Sequence, residues 1–364
     1  MHIGFMIYGS IDTLTGGYLY DKKLLDYLTD SGHHVEVISL PLRRYPLRPA
    51  DNFTGALPGH MTRASYDILL QDELCHPSLF LLNRRLHQRT SVPVVSVVHH
   101  LLCNEPRSRV LNALLALPET HYLDSADGFV FNSRTTQCAV FHLSPAPRPF
   151  VVAPPGSDRF RGRITSAEIA ARAPGPGPLR LLFVGQIIER KGLLPLIAAL
   201  TGVPRDQWSL EVVGNTTIAP DYFRRVRQAL DTHGLASIVR FPGSLDTDAL
   251  ARKFAESHLL CMPFAYEGFG MVTLEALNFG LPVLGANAGA TPELIRDGDN
   301  GLLFNRNDLS GVATAVQKLH ADRSRLLRMS AAALESAGTH PVWQESMQGI
   351  EEFLINFHAL MRRR

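Results

Sequence analysis

Residues 263–275 read Pro-Phe-Ala-Tyr-Glu-Gly-Phe-Gly-Met-Val-Thr-Leu-Glu, and this stretch decides the fold. It follows an apolar run, Leu259-Leu260-Cys261-Met262, that reads as a buried strand. It opens a helical pattern that continues through Ala276, Leu277 and Phe279 to a glycine stop at Gly280. A strand, a tight glycine turn and a helix N-terminus present backbone N–H groups to an anion. Two carboxylates bracket the turn, Glu267 before it and Glu275 inside the helix. A ligand with phosphates in the middle and hydroxyl-rich groups on either side suits that arrangement, as in a sugar nucleotide.

Working outward, short apolar strands alternate with helical segments along both halves. In the first half they are His2–Tyr8, Val35–Leu40, Tyr66–Gln71, Val92–Val98, Gly128–Phe131 and Phe150–Ala153. In the second they are Leu179–Val184, Leu210–Val213, Ile238–Phe241, His258–Met262, Pro282–Gly285 and Leu302–Phe304. Helical patterns fall between them, notably Tyr18–Ser31 and the Arg107–Leu117 region. Apolar strands separated by helices indicate parallel sheets covered on both faces. The predicted fold class is therefore α/β, two doubly wound Rossmann-like domains with ligand at the carboxyl ends of the strands. At 364 residues the chain exceeds a single core, which agrees. The expected division is 1–158, 159–341 and a terminal helix over 342–364, with the break near Pro154-Pro155-Gly156-Ser157-Asp158. The Pro/Gly run 173–178 reads as a loop before the second domain's first strand.

The net charge of +2 gives no electrostatic case for nucleic acid as a partner. The four cysteines, Cys75, Cys103, Cys138 and Cys261, lack metal-type or redox-type spacing and read as reduced thiols of a cytoplasmic protein. The chain opens directly on a strand, so no signal peptide is expected. No apolar run approaches the roughly 20 residues that span a bilayer. Arg362-Arg363-Arg364 reads as a solvated helix end, with peripheral membrane contact as the alternative. Oligomeric state is not legible.

The Glu267–Glu275 spacing resembles the glutamate–seven residues–glutamate signature of the retaining glycosyltransferases of family 4. The resemblance extends over 282–285, 289–295 and 297–304, over Phe183-Val184-Gly185 with Arg190-Lys191-Gly192, and over Gly16-Gly17 with Gly32-His33. It implies a two-domain B-type (GT-B) transferase fold whose final helix crosses back onto the first domain. It implies a metal-independent hexosyltransferase that takes a nucleotide-diphosphate sugar as donor and needs no cofactor. In that reading Glu267 meets the donor sugar and Glu275 the ribose, with Gly268, Phe269, Gly270, Met271 and Val272 facing sugar or phosphates. The family places an arginine directly after the glycine at Gly185; this chain has Gln186, so Arg190 takes the phosphate role beside Lys191.

Positive groups and oriented amides stabilise the charge of a departing diphosphate. Arg190 and Lys191 suit that task, and Gly16 and Gly17 allow close approach of backbone to phosphate. Ser244 and Leu245, with Val213-Gly214, are candidates to meet the base. By resemblance His99, directly after a strand, lies near the anomeric carbon. His100, Asp72, Glu73 and Glu105 are candidates for acceptor contact. Asp246-Thr247-Asp248 and Asp297-Gly298-Asp299 match a loose metal pattern but read as polar loops, so no metal is assigned. A sugar-nucleotide epimerase or hydrolase, and a non-catalytic sugar-nucleotide-binding protein, are the alternatives on this fold.

Overall fold

A computed structural model describes residues 1–13, 15–53, 66–160, 164–264, 266–305 and 309–363. The chain divides into two compact units, Met1–Gly156 together with Pro341–Arg364, and Ser157–His340.

The first unit holds a parallel sheet of β1 (His2–Tyr8), β2 (His34–Leu40), β3 (Ile68–Asp72), β4 (Val94–Val98), β5 (Gly128–Phe131) and β6 (Phe150–Val152). Their order is β2-β1-β3-β4-β5-β6, so the winding reverses between β1 and β3. The central strands are apolar on both faces because helices cover both: β3, β4 and β5 are buried throughout. Phe5, Phe129 and Phe131 are fully enclosed, each stabilising the fold by about 1.5–3 kcal/mol relative to an exposed ring.

The second unit repeats the plan with β7 (Leu179–Val184), β8 (Trp208–Val213), β9 (Val239–Gly243), β10 (Leu259–Met262), β11 (Val283–Ala286) and β12 (Gly301–Phe304). The order β12-β11-β10-β7-β8-β9 puts the reversal between β10 and β7, which pair Leu259 with Leu181 and Leu260 with Leu182. Loops leaving those two strands diverge to opposite sides, and the crevice they leave is where ligands bind in open α/β sheets.

Most expected strands form within two residues of their predicted bounds, and the shifts have local causes. β3 starts at Ile68 because Asp67 turns to accept the His2 N–H at 2.8 Å. β4 and β11 start after Pro93 and Pro282, which have no N–H to give a ladder. The helix expected over Arg107–Leu117 runs Arg109–Leu123 instead, capped by Ser108 and continuing through Pro118, where the sequence signals a stop. The helix expected from Tyr18 starts at Gly16, with Thr15 as N-cap. Gly16 and Gly17 therefore form its first turn and do not precede it.

The final helix, Trp343–Met361, packs on the helix Gly16–Asp30 and on β6, all within the first unit. His33 links them, bonding the Met1 amino group through Nδ1 and Glu351 through Nε2 at 2.8 Å. Arg364 lies outside the described residues. Cys75 and Cys261 are buried, Cys103 is half-buried and Cys138 exposed, all as free thiols.

Candidate active site

The carboxyl edge of the second sheet gathers most of the predicted donor-binding residues. After β7 the chain passes Gly185 and enters a single turn, Glu189–Lys191, that ends at Gly192. After β10 it passes Pro263 and Phe264 and reaches Glu267; Ala265 lies outside the described residues. Lys191 and Glu267, 76 residues apart in sequence, form an ion pair across the reversal point. The Lys191 ammonium also lies 3.7 Å from the centroid of the Phe264 ring, within cation–π range. Arg190 stands behind it, with Nη1 4.0 Å from the same Glu267 oxygen and 3.4 Å from the Tyr266 carbonyl. Two cations thus converge on one carboxylate, leaving a net positive corner beside a helix N-terminus.

That helix, Met271–Asn278, starts at Gly270. Gly268 and Phe269 are buried, whereas Gly270, Met271 and Val272 are half-buried. The Glu267 backbone is held from a third segment. Ala290 donates its N–H to the Glu267 carbonyl at 3.0 Å, and Gly289 adopts φ +57°. A Cβ on Gly289 would fall 2.3 Å from that carbonyl oxygen, so only glycine permits the approach.

Glu275 has a partner of its own. Its Oε1 accepts from Arg159 Nη1 at 2.5 Å, while its Oε2 is buried with no hydrogen bond among the described residues. Burial raises the Glu275 carboxyl above its ordinary range, and Arg159 opposes the rise. Glu275 is thus a buried, paired carboxylate and not a charge on the helix surface. Sequence reasoning missed Arg159, which lies 116 residues away in no recognisable motif. Replacing Arg159 with alanine should strand a buried carboxylate and cost the second unit about 1–3 kcal/mol. A lowered urea midpoint checks this, and Glu275→Gln in the same background should recover part of the loss.

The proposed base-side segments also adjoin: Gly214 donates its N–H to the Gly243 carbonyl at 3.0 Å, next to exposed Ser244 and half-buried Leu245. The aspartate pairs are structural. Asp246 caps the helix Thr247–Glu256 through the Ala249 N–H at 2.7 Å. Asp297 accepts the Leu303 N–H at 2.8 Å, and Asp299 pairs with Arg296. A cavity of about 560 Å³ beside β12, with Lys318 and Arg325 in its wall, includes none of the predicted site residues.

In the first unit a second group of polar residues collects where β1, β3 and β4 end. His99 bonds Asp21 Oδ1 at 2.8 Å, and Tyr20 meets the ring edge-on at 5.3 Å. A Cβ on Gly17 would sit 3.2 Å from His99 Cδ2, so the glycine makes room for the imidazole. Burial pulls His99 down, but the Asp21 carboxylate outweighs it and holds the imidazole up at about 9. The Asp21 contact thus favours the protonated imidazole. Asp21 carried no sequence signal.

The acceptor candidates fare unevenly. His100 and Glu105 pair at 3.2 Å, and Glu105 also accepts from Arg107 at 2.6 Å. Asp72 and Glu73 are 2% and 0% exposed, so neither presents a surface to an acceptor in this structure. Asp72 instead caps the Leu74 N–H, and burial raises its carboxyl. Glu73 lies among buried His76 and Glu119, a cluster with no local sequence pattern. Asp21, Asp72 and His99 form another such group. In the first of these groups both His76 ring nitrogens are engaged, by the Glu73 carbonyl and the Tyr45 hydroxyl.

These groups make the first unit sensitive to alkali. Burial pushes Glu73 up to about 8 and Glu119 up to about 7, and His99 stands at about 9. All three lie above their ordinary values, so the folded state holds more protons than the unfolded chain. That stability is fully present below the ordinary values and is lost as pH rises through 7 to 9. The melting temperature should fall by several degrees between pH 6.5 and pH 9, and Glu73→Gln should flatten the slope.

Residues 166–336, which include Lys191, Glu267 and Glu275, match the family described as Glycosyl transferases group 1. The GDP-mannose-dependent alpha-(1-6)-phosphatidylinositol monomannoside mannosyltransferase of Mycobacterium tuberculosis is 30% identical over 213 residues, 55% of this chain and 54% of that protein. The chain thus spans about half the length of that curated relative. Sucrose-phosphate synthase from Thermosynechococcus elongatus shares the fold with a TM-score of 0.82 at 19% identity, over 99% of both chains. Anabaena HepE in complex with UDP and glucose gives a TM-score of 0.74 at 20% identity, over 97% of this chain and 98% of that one. The architecture is accordingly the GT-B type, with two Rossmann-like units.

Proposed function

We propose that this protein is a retaining glycosyltransferase that moves a sugar from a nucleotide diphosphate to an acceptor hydroxyl. The observation that carries this reading is the meeting of Lys191 and Arg190 with Glu267 at the reversal point of the second sheet. Cations there offset the charge that grows on the diphosphate as the anomeric C–O bond breaks. The Glu267 carboxylate accepts hydroxyl hydrogen bonds from the sugar, about twice as strong as neutral ones. Glu275 Oε2, unpaired in the buried side chain, accepts from the ribose. The acceptor oxygen forms the new bond on the face the diphosphate leaves, and the acceptor's proton passes to a phosphate oxygen. Neither glutamate attacks, and no metal enters the scheme.

Support from similar proteins is of one kind: the M. tuberculosis relative is named for GDP-mannose-dependent transfer, and the HepE structure holds UDP and glucose. The testing experiment is a thermal-shift screen against uridine, guanosine and adenosine diphosphate sugars, followed by NMR of the product's anomeric centre. Selective stabilisation by one donor is expected, and then a product with the donor's anomeric configuration. An inverted product overturns retention, and no stabilisation by any donor overturns the transferase reading.

A further inference from the structure

Glu275 lies in the helix Met271–Asn278 and is 5% exposed. Its two oxygens differ in their company. Oε1 accepts from Arg159 Nη1 at 2.5 Å, whereas Oε2 is buried without a hydrogen bond among the described residues. A guanidinium bonded to one oxygen restrains rotation of the carboxylate and leaves the other oxygen as its open acceptor.

The segment that carries Arg159 is itself fastened to this helix. The Ser157 carbonyl accepts from Asn278 Nδ2 at 2.6 Å, one turn beyond Glu275. The Phe160 ring packs edge-on against Phe279 at 5.4 Å and against Phe254 at 5.8 Å. Arg159 is thus held from both of its sides, and its side chain remains 32% exposed. No hydrophobic packing of its own requires it there.

Other elements packed on the helix bring no charge to Glu275 among the described residues. Arg323–Gly338 buries Ser330 and four apolar side chains. The short helix Thr291–Leu294 buries Thr291 and Leu294 and leaves Glu293 exposed. β11 is apolar, and β10 adds Cys261, a thiol that burial pushes up to about 12 and so keeps neutral. Arg159 is therefore the cation that opposes the rise which burial imposes on the Glu275 carboxyl. Without it, a buried carboxyl takes up a proton at higher pH and becomes a weaker acceptor for a hydroxyl.

We propose that Arg159 is a positioning residue for the donor's ribose: its bond to Oε1 holds the Glu275 carboxylate in place as an anion, with Oε2 left to accept from a ribose hydroxyl. This rests on the donor reading above and assigns Arg159 a part in recognition beyond its part in stability.

The test is calorimetric titration of wild type, Arg159→Gln and Arg159→Lys at about pH 8.5 and about pH 5.5, on either side of a raised carboxyl. The ligands are whichever of uridine, guanosine and adenosine diphosphate binds the wild type, and the 2′,3′-dideoxy analogue of that nucleotide. The phosphates titrate alike in each titration, so the ratio of two proteins' affinities reports the protein's own group. The wild-type advantage over Arg159→Gln should grow about 10-fold from the higher pH to the lower, because the variant's carboxyl protonates first. Arg159→Lys keeps the charge and should show a smaller growth. The dideoxy analogue should bind the wild type about 10-fold more weakly than the parent nucleotide, a measurement that needs no variant to fold. At the lower pH Arg159→Gln should scarcely distinguish the two. An advantage that is equal at both pH values marks a merely structural arginine; it overturns the proposal and leaves the donor reading standing. Equal wild-type affinity for nucleotide and dideoxy analogue also overturns it. No wild-type binding of any of the three nucleotides overturns the donor reading, and this proposal with it.

Discussion

Lys191→Ala should lower kcat/KM by about 100-fold or more while leaving the protein folded, the scale on which one preorganised charge contributes to a transition state. The Lys191 ammonium is held by the Glu267 carboxylate on one side and the Phe264 ring on the other. Its position is therefore fixed before any donor arrives, and no reorganisation is spent when charge develops on the diphosphate. Arginine at this position should restore only part of the rate, since its longer side chain and planar fork do not place charge where the compact ammonium does. The fold should persist because Lys191 lies in a single loop turn and its backbone N–H bonds the Ile188 carbonyl whatever the side chain. Initial rates with the donor found by thermal shift, together with a melting curve, check both halves. A kcat loss larger than the KM change would mark an interaction made in the transition state.

Glu267→Ala should be of similar size, for a different reason. Its side chain holds Lys191 and lies near Arg190, so its removal takes a counter-charge from two cations and deletes the acceptor of sugar hydroxyl bonds. The Glu267 backbone should stay in place, because the carbonyl is held by the Ala290 N–H whatever the side chain. A loss of about 100-fold in turnover with an unchanged melting temperature is expected. Glu267→Gln keeps the hydrogen-bond acceptor and loses the charge, so it should fall between alanine and wild type. If the alanine variant turned over at near the wild-type rate, the carboxylate would have no part in donor recognition.

How far the sequence exposes this site depends on where each contact is encoded. The strands of both sheets were legible because a parallel sheet buried on two faces demands short uninterrupted apolar runs, as in Val94–Val98 and Leu179–Val184. The turn from Glu267 to Met271 was legible because glycines and carboxylates crowd into one segment. Arg159 was not, since its tie to Glu275 bridges 116 residues and rests on one guanidinium without a local pattern. Asp21 escaped for the same reason: it reads as a polar residue on a helix, and only the fold carries it to His99 across 78 residues. Asp72 and Glu73 read as candidates for acceptor contact, and their burial is not legible because carboxylates are seldom buried. The helix expected over the Arg107–Leu117 region continues through Pro118 to Leu123.

The central claim is that a nucleotide diphosphate is gripped at the carboxyl edge of the second sheet by Lys191 and its neighbours. Calorimetric titration of wild type and Lys191→Ala with uridine, guanosine and adenosine diphosphates tests it most directly. One nucleotide should bind the wild type at micromolar concentration and the variant at least 10-fold more weakly. Equal affinity in both proteins, or no binding of any of the three at millimolar concentration, would contradict it.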